Sequence, residues 1–429
     1  MRRILSLVVV SLALTAGTAT AAGPTFSAEQ SVGTLSDDFW EPTTAVDPRA
    51  GWVYQAVTGI GAHECANHNC PGTSILVRAS GDSGKTWGPL VYVCGIACKN
   101  VGWQFDPQLA VAADGTVYAA WLNTFDPGTV LSKSFDHGRT WTTPVTTNGD
   151  LTYNDKPTLV ISPSGRDVYL SFDDKTDDYS VVSHDYGSTF SAPVKTNADA
   201  YEYLSYGGAI TPDGRVYFAQ TGEPKSGVGA EPVSLVSSAD GGSTWARTTL
   251  DSSAEPPVCT FKGCYADFFS SQAVVASDST GRLVLAYLKS AVDEGPKSLY
   301  VRTSSDGSHW TAPILVNARG DSNMPSIAAG RPTAGDFRLV WQDNRNGANA
   351  WNTWYARTTN GGATWSAPVR LSNLDSGAPY KSPAGYTFSF GDYGGLAVDS
   401  AGTNFVIGGE GDGIYTGGGT GGSWWSSGR

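Results

Sequence analysis

The residues Ser80-Gly81-Asp82-Ser83-Gly84-Lys85-Thr86-Trp87 form a motif, S-x-D-x-G-x-T-W, that recurs along the chain and decides its fold. We name this motif the box. Its third position recurs at intervals of roughly 50 to 65 residues, a period typical of repeated supersecondary units such as propeller blades. The residues at this position are Asp82, Asp136, Asp185, Asp240, Asp306 and Asn360, and the box around Asp306 is shortened.

Each residue type in the box suits a tight turn. The Asp or Asn side chain can accept hydrogen bonds from its own turn, the Gly can adopt a positive φ, and the Thr hydroxyl can close the turn. The Trp opens the next strand and offers a large apolar surface to bury between units. The box therefore predicts a hairpin turn, and its acids are interpreted as structural rather than catalytic.

Strand-forming segments surround each box. In residues 109–121 the pair Asp114-Gly115 separates two β-rich runs, a pattern typical of a hairpin. The same plan recurs at residues 159–172, 209–220, 274–287, 327–341 and 396–408. With the box between the third and fourth strands, each unit is predicted to be a four-stranded antiparallel blade. No segment beyond the N-terminus keeps a helical period, so the predicted fold class is all-β.

The number of units favours a seven-bladed β-propeller, with six blades and a partial repeat as the alternative. The segment from Thr25 to Val32 is similar to the outer strand that follows a box. We expect it to complete the last blade and close the ring, which protects strand edges. The predicted propeller covers residues 22–416, and residues 417–429 are predicted to be a Gly-rich C-terminal tail.

The N-terminus and the charge set expectations about the compartment and partners. Residues 1–21 combine Arg2-Arg3, an apolar run and Ala19-Thr20-Ala21, the pattern of a secretory signal peptide, so we expect a secreted, extracellular protein. The formal net charge of −12 argues against nucleic acid or anionic lipid as a partner. No interior segment has the length and hydrophobicity of a membrane span, and a monomer is expected.

The cysteines fall into close pairs along the sequence. In an exported protein such pairs are interpreted as local disulfides, although spacing does not decide their connectivity. A zinc site flanked by His63 and His68 is the alternative, which the absence of C-x-x-C spacing disfavours. The pairs are Cys65 with Cys70, Cys94 with Cys98, and Cys259 with Cys264.

The blade plan separates the two faces of the ring. The box turns lie on one face, which we name the box face, and the innermost strands begin at the opposite one, the entry face. Nearly every unit has a carboxylate where its innermost strand begins, including Glu41 in the first unit. The candidate catalytic acids are Asp106, Asp155, Glu202, Asp267 and Asp392, with Tyr203 and Tyr393 as partners. The candidate substrate-binding residues are Trp40, Trp103, Tyr201, Tyr265, Asp321 and Arg345.

Carboxylates beside aromatic rings form a surface suited to sugars. Rings stack on sugar C–H faces, while acids bind hydroxyls or transfer protons. The structural alternative is that each acid caps a strand end.

No cofactor is expected, and calcium is the metal considered for the acidic residues. The segment Asp173-Asp174-Lys175-Thr176-Asp177-Asp178 offers oxygen ligands but lacks the spacing of a known calcium loop. A solvated acidic loop is the favoured interpretation.

The boxes resemble the Asp-box repeats, also called BNR repeats, of the sialidase superfamily, over almost the whole predicted mature chain. The resemblance implies an Asp-box propeller, as in sialidases, xyloglucan-cleaving hydrolases, some polysaccharide lyases and non-catalytic binding propellers. Sialidases are expected to carry an F-R-I-P-type segment and three pocket arginines. Here the corresponding segment is Phe39-Trp40-Glu41-Pro42, and Arg319 and Arg345 are the arginines expected near the pocket face. Sialidase activity in the strict sense is therefore not predicted.

Three functions remain open from the sequence. The favoured one is a glycoside hydrolase that uses two entry-face carboxylates, one as general acid and one as nucleophile or base. The second is a non-catalytic propeller that binds a glycan or a protein. The third is a polysaccharide lyase, which needs a Tyr or His base and a cation, for which His63, Tyr203 and Arg345 are the candidates.

Overall fold

The computed structural model of the chain is a ring of blades built from β-strands. It describes residues 24–33, 38–49, 51–60, 63–64, 69–70, 72–95, 102–124, 128–174, 177–197, 200–258, 270–330, 333–347, 350–372, 393–410 and 422–429. These residues contain seven four-stranded antiparallel sheets and no α-helix. The predicted seven-bladed, all-β propeller is confirmed, and the six-bladed alternative is wrong.

The blades are numbered in chain order, and each is given from its innermost to its outermost strand. The first strand, β1 (Gln30–Ser31), belongs to the last blade. Blade 1 has β2 (Asp38–Val46), β3 (Val53–Ile60) and, after a hairpin of β4 (His63–Glu64) and β5 (Asn69–Cys70), β6 (Ser74–Ser80) and β7 (Val91–Tyr92). Blade 2 has β8 (Gln104–Val111), β9 (Val117–Asn123), β10 (Thr129–Ser134) and β11 (Val145–Thr146). Blade 3 has β12 (Asp155–Ile161), β13 (Val168–Asp173), β14 (Asp178–Ser183) and β15 (Val194–Lys195).

The remaining blades follow the same order. Blade 4 has β16 (Tyr201–Ile210), β17 (Val216–Pro224), β18 (Glu231–Ser238) and β19 (Ala246–Ser253). Blade 5 has β20 (Ala273–Ser277), β21 (Leu283–Lys289), β22 (Ser298–Ser304) and β23 (Ile314–Asn317). Blade 6 has β24 (Ser322–Ala329), β25 (Phe337–Asp343), β26 (Asn352–Thr358) and β27 (Val369–Arg370). Blade 7 has β28 (Gly395–Val398), β29 (Asn404–Glu410), β30 (Gly422–Gly428) and β1.

The innermost strands surround the axis of the ring. Each contacts the innermost strand of the next blade, and β28 contacts β2. The core lies between blades, where Trp121 and Trp341 are fully buried. The box residues Trp87 and Trp141 pack at the edge of the core cluster that contains Trp121. Large aromatic plates thus fill the space between successive sheets, as the position of Trp in the box predicts.

The box turns are held by their own side chains. The Asp82 carboxylate accepts hydrogen bonds from the Thr86 amide at 2.8 Å and from the Thr86 hydroxyl at 2.6 Å. Ser80 Oγ donates to Asp82 at 2.8 Å and accepts from the Gly84 amide at 2.9 Å. The hydrogen bonds from Thr86 and Ser80 lower the pKa of Asp82 to about 2. The same bonds recur in the boxes of Asp136, Asp185 and Asp240, so these four carboxylates are occupied within their turns.

The N-terminal strand closes the ring. Gln30 and Ser31 of β1 pair with Trp425 and Trp424 of β30, as the sequence predicts. Arg78 of blade 1 supports this junction, because its Nη1 donates to the Val32 carbonyl at 2.6 Å.

One predicted boundary needs correction. The strand β30 lies within the segment predicted to be a C-terminal tail, residues 417–429, yet it pairs along its length with β29. The propeller therefore extends beyond residue 416. The reason is that Trp425 is 2% exposed and packs edge-on against Trp87 at 5.1 Å, which anchors the strand despite its Gly-rich approach.

Several predictions fall outside the described residues. These include the whole predicted signal peptide, residues 1–21, and four of the cysteines: Cys65, Cys98, Cys259 and Cys264. Cys94 is buried and disulfide-bonded, but its predicted partner is not described, so the three pairings stay predictions. The described residues contain no helix long and apolar enough to cross a membrane.

Candidate functional site

Four innermost strands carry the same irregularity at the entry face. Glu41, Asp106, Lys156 and Met324 have φ values of 51°, 57°, 48° and 52°, and each is followed by a proline. The strand register shifts at each of these sites. A positive φ is uncommon outside glycine, and a bulge redirects a side chain that would otherwise follow the pleat. The recurrent X-Pro pair is a signal that sequence analysis missed.

A small cavity lies on the ring axis beside these bulges. Its volume is about 110 Å³, and residues of six blades line it. The lining includes the polar side chains of Thr43, Gln108, Lys156, Tyr206, Ser326 and Tyr393. Lys156 is the charged residue among the lining residues. Ligand pockets commonly measure roughly 300–1,000 Å³, so this cavity suits one group of a larger ligand rather than a whole oligosaccharide.

A tyrosine and a buried acid meet at the cavity. The Tyr393 hydroxyl donates to Asp106 Oδ1 at 3.0 Å, and Asp106 is 2% exposed. Glu41 holds the backbone of Asp106, because the Asp106 amide donates to Glu41 Oε2 at 2.8 Å. The same Glu41 oxygen accepts from Thr58 Oγ1 at 2.8 Å. The structure thus brings two predicted candidates, Asp106 and Tyr393, into direct contact.

The other described candidate acids lie near the entry face, and like Asp106 they are not among the residues that line the cavity. Asp155 accepts from the Lys156 amide at 2.9 Å, and Glu202 lies directly opposite Glu223 on the neighbouring strand. Asp321 accepts from the Lys297 amide at 2.9 Å. These bonds match the strand-capping alternative for Asp155 and Asp321.

The candidate partner Tyr203 is packed inside blade 4 instead of lining the cavity. It is 2% exposed, and the Arg247 guanidinium lies 3.5 Å from its ring centroid. Burial raises its pKa and so disfavours the phenolate that would have to act as the base. Tyr201, whose ring lies 5.8 Å from that of Tyr203, is half-buried at the entry face.

Arg345 is committed to a structural ion pair. Its Nε donates to Asp343 at 2.8 Å, its Nη2 donates to Asn317 at 3.0 Å, and its guanidinium stacks 3.7 Å from the Trp354 ring centroid. It does not line the axial cavity. The cation at the cavity is Lys156, which sequence analysis did not single out.

The two candidate tryptophans differ in exposure. Trp40 is 6% exposed and packs into blade 1, whereas Trp103 is 65% exposed beside Phe105, with ring centroids 6.2 Å apart. Trp103 therefore has the exposed face that sugar stacking needs, and Trp40 does not. The candidates Asp267, Asp392 and Tyr265 lie outside the described residues, as does the side chain of His63.

The acidic segment considered for calcium binds protein groups. Asp177 forms ion pairs with Lys195 at 2.9 Å and Lys225 at 2.8 Å. Asp178 is fully buried and accepts from Gln220 Nε2 at 2.7 Å. Burial raises the pKa of Asp178 to about 6. Within the described ranges, no group of three or more His, Cys, Asp or Glu side chains is arranged to hold a metal ion.

Glu231 is a second buried entry-face acid that sequence analysis missed. It is 1% exposed, accepts from the Ser271 amide at 2.7 Å, and has its pKa raised by burial. It begins the third strand of blade 4, away from the axis, so it is not a lining residue of the cavity.

The fold has relatives among solved structures. A protein of unknown function from Dyadobacter fermentans shares 14% identity with a TM-score of 0.53, covering 95% of this chain and 99% of its own. A polysaccharide lyase named as an ulvan lyase shares 13% identity with a TM-score of 0.52, covering 88% of this chain and 93% of its own. A Hadza microbial sialidase shares 16% identity with a TM-score of 0.47, covering 91% of this chain and 65% of its own. Identities this low show a common propeller fold and nothing more.

No family model matches the chain, and no curated protein sequence matches it. The function of this chain is therefore inferred from the site itself.

Proposed function

We propose that this chain is a secreted, Asp-box-type propeller enzyme that acts on glycans, with glycoside hydrolysis as its reaction. The observation that carries the proposal is the hydrogen bond of 3.0 Å between the hydroxyl of Tyr393, which lines the axial cavity, and the carboxylate of Asp106, which is buried behind it. A carboxylate in this position can take the phenol proton as a substrate is attacked, which activates a weak nucleophile.

In this scheme Tyr393 attacks the anomeric carbon, its proton passes to Asp106, and the glycosidic oxygen leaves. The leaving oxygen needs a general acid. The remaining candidates for that acid are Asp155, Glu202, Asp267 and Asp392. Water then attacks the anomeric carbon and gives a proton to the deprotonated general acid, while Tyr393 leaves that carbon and regains its proton from Asp106.

Lys156 supports an acidic substrate. It is the charged residue among those lining a cavity otherwise rich in hydroxyl and amide groups, in a chain whose net charge is −12. An ammonium group in a small polar cavity favours an anion, and a sugar carboxylate or sulfate meets this requirement. The exposed ring of Trp103 offers a stacking surface for a further sugar outside the cavity.

Lys156 also favours one alternative reaction, a lyase. Eliminative cleavage of a uronate needs a cation to neutralise the carboxylate and a base to remove the adjacent proton. Lys156 and Tyr393 supply these two groups in the same cavity. The products separate the reactions, because hydrolysis yields a saturated sugar and elimination yields an unsaturated one that absorbs ultraviolet light.

The test is a screen of neutral, carboxylated and sulfated oligosaccharides, with reducing ends and ultraviolet absorbance measured together. We expect saturated products, a loss of about 100-fold or more in kcat for Tyr393→Phe and Asp106→Asn, and a raised KM for acidic substrates with Lys156→Gln. Asp136→Asn, an isosteric change on the box face, is the matched control and should keep full activity.

Three results would contradict the proposal. Unsaturated products would establish the lyase instead. Binding without turnover would establish a non-catalytic binding propeller. Turnover that survives both Tyr393→Phe and Asp106→Asn would place the reaction elsewhere.

A further inference from the structure

Two entry-face bulges are held by the same contact from the preceding blade. Glu41 Oε2 of blade 1 accepts from the Asp106 amide of blade 2 at 2.8 Å. Gln272 Oε1, next to β20 of blade 5, accepts from the Met324 amide of blade 6 at 2.7 Å. In both cases the donor residue has a positive φ and precedes a proline.

This contact decides which way the bulged residue points. A buried amide that leaves the strand ladder must find another acceptor, and a left-handed backbone persists only when its surroundings hold it. The acceptor from the neighbouring blade meets both needs. It therefore fixes the direction of the side chain that the bulge carries.

The two contacts hold different side chains. In blade 6 the bulge carries Met324, a thioether without proton chemistry. In blade 2 it carries Asp106, whose Oδ1 accepts from the Tyr393 hydroxyl. Glu41 is itself restrained, because Thr58 Oγ1 donates to the same Oε2 atom. The series from Thr58 through Glu41 to Asp106 is continuous and buried.

We propose that Glu41 is a positioning residue for the Tyr393–Asp106 pair, acting through the Asp106 backbone. The inference rests on the proposed function of that pair. Glu41 is required as a hydrogen-bond acceptor rather than as a charge, because the neutral amide of Gln272 performs the same task for Met324.

Three variants test the proposal through kcat and KM. Glu41→Gln keeps an acceptor oxygen and should retain kcat and KM within about threefold. Glu41→Leu removes the acceptor, and a shift of about 1 Å in a reacting group can cost about 100-fold, so kcat should fall by about that factor while KM changes little. Gln272→Leu breaks the matching contact at Met324 and should keep kcat near that of the unchanged protein.

A second measurement does not depend on turnover. Hydrogen exchange at the Asp106 amide should stay slow in Glu41→Gln and become fast in Glu41→Leu, with Tm recorded to show that each variant is folded. If no variant and no unchanged protein turns over any substrate, the proposed function fails, while the exchange result still decides whether Glu41 holds Asp106.

Two outcomes would overturn the inference. If Glu41→Gln loses as much kcat as Glu41→Leu, the charge of Glu41 acts directly. If Glu41→Leu and Gln272→Leu lower kcat equally, the contact stabilises the ring without positioning Asp106.

Discussion

The box face and the entry face both carry many acids, and the box acids differ in pKa from two buried acids of the entry face. On the box face, hydrogen bonds from Thr86 and Ser80 lower the pKa of Asp82 to about 2. On the entry face, burial raises the pKa of Asp178 to about 6 and raises that of Glu231 as well. Box acids are thus stabilised as carboxylates by their own turns, whereas burial destabilises the charged form of these two entry-face acids. Acids whose charged form is destabilised in this way are typical of functional sites.

The cavities at the two ends of the ring axis also differ in the side chains that line them. At the box face, residues of all seven blades line a cavity of about 910 Å³ that is rich in aliphatic side chains. Asp278, the carboxylate among its lining residues, accepts from the Thr280 and Gly335 amides. The entry-face cavity of about 110 Å³ is smaller, yet it contains Lys156 and Tyr393. The comparison teaches that the box face is an apolar scaffold, whereas the entry face brings a lysine and a tyrosine to the ring axis.

The largest expected effect comes from a substitution that destabilises the box face and leaves the entry-face residues unchanged. Asp336 is 2% exposed and pairs with the buried Arg338 at 2.8 Å and with the exposed Arg357 at 2.7 Å. Asp336→Ala leaves a buried cation without a counter-ion and should cost about 3–5 kcal/mol of unfolding free energy. Denaturant unfolding measures this change.

A control uses the same ion-pair cluster. Arg357→Gln removes the more exposed ion pair of Asp336 and should lower the unfolding free energy by less than about 1 kcal/mol. Both variants should keep their activity per folded molecule. A selective loss of activity in folded Asp336→Ala would end the functional separation of the two faces.

A second prediction concerns pH and the entry face. The pKa of Asp178 is about 6 in the folded chain and 3.8 as an ordinary carboxyl. Between these two pH values the folded state binds more protons than the unfolded state. The contribution of Asp178 to the unfolding free energy therefore falls as pH rises from about 4 to about 6 and is constant above that. The change is at most about 3 kcal/mol, since one pKa unit is about 1.4 kcal/mol.

The measurement is the unfolding free energy as a function of pH for the unchanged protein and for Asp178→Asn. The difference between the two curves should show the fall between pH 4 and 6. If this difference does not change with pH, Asp178 stays ionised in the folded chain. The contrast in carboxyl pKa between the two faces would then lose its main example.

The smallest expected effect concerns a single box. Burial raises the pKa of Asp136, but hydrogen bonds from Thr140 and Ser134 outweigh it and hold the pKa below its usual range. Its stabilising contribution is therefore present above about pH 4 and is lost as pH falls through the folded pKa. Asp136→Ala should cost about 1 kcal/mol at neutral pH, without loss of activity.

The chain contains its own control for this box. Asn360 occupies the same position in the last box, where its Oδ1 accepts from the Thr364 amide at 3.0 Å and its Nδ2 donates to Thr364 Oγ1 at 2.8 Å. Asp136→Asn should thus keep the turn at neutral pH and remove its acid sensitivity. A large loss of Tm or of activity in this variant would contradict the structural role of the box.

Particular residues show how far sequence reasoning reached at the site. Asp106 and Tyr393 were selected because each stands where an innermost strand begins. Lys156 was missed because a lone lysine carries no motif, and the X-Pro pair beside it was the available signal. Tyr203 was selected by the same positional rule as Tyr393, and Arg345 as an arginine expected near the pocket face, but they pack against Arg247 and Trp354 respectively.

The sequence by itself determined the repeat, the seven blades, the N-terminal closure and the box turns. The repeat, the blades and the box turns depend on hydrogen bonds within a few residues, such as those from Thr86 to Asp82, and the closure follows from the likeness of the N-terminal segment to the outer strands. Only the tertiary structure decided that Tyr393 meets Asp106 across 287 positions of sequence and that Glu41 holds Asp106 across 65. Such contacts join residues far apart in the sequence, and ring closure and strand bulges, rather than local propensity, bring them together.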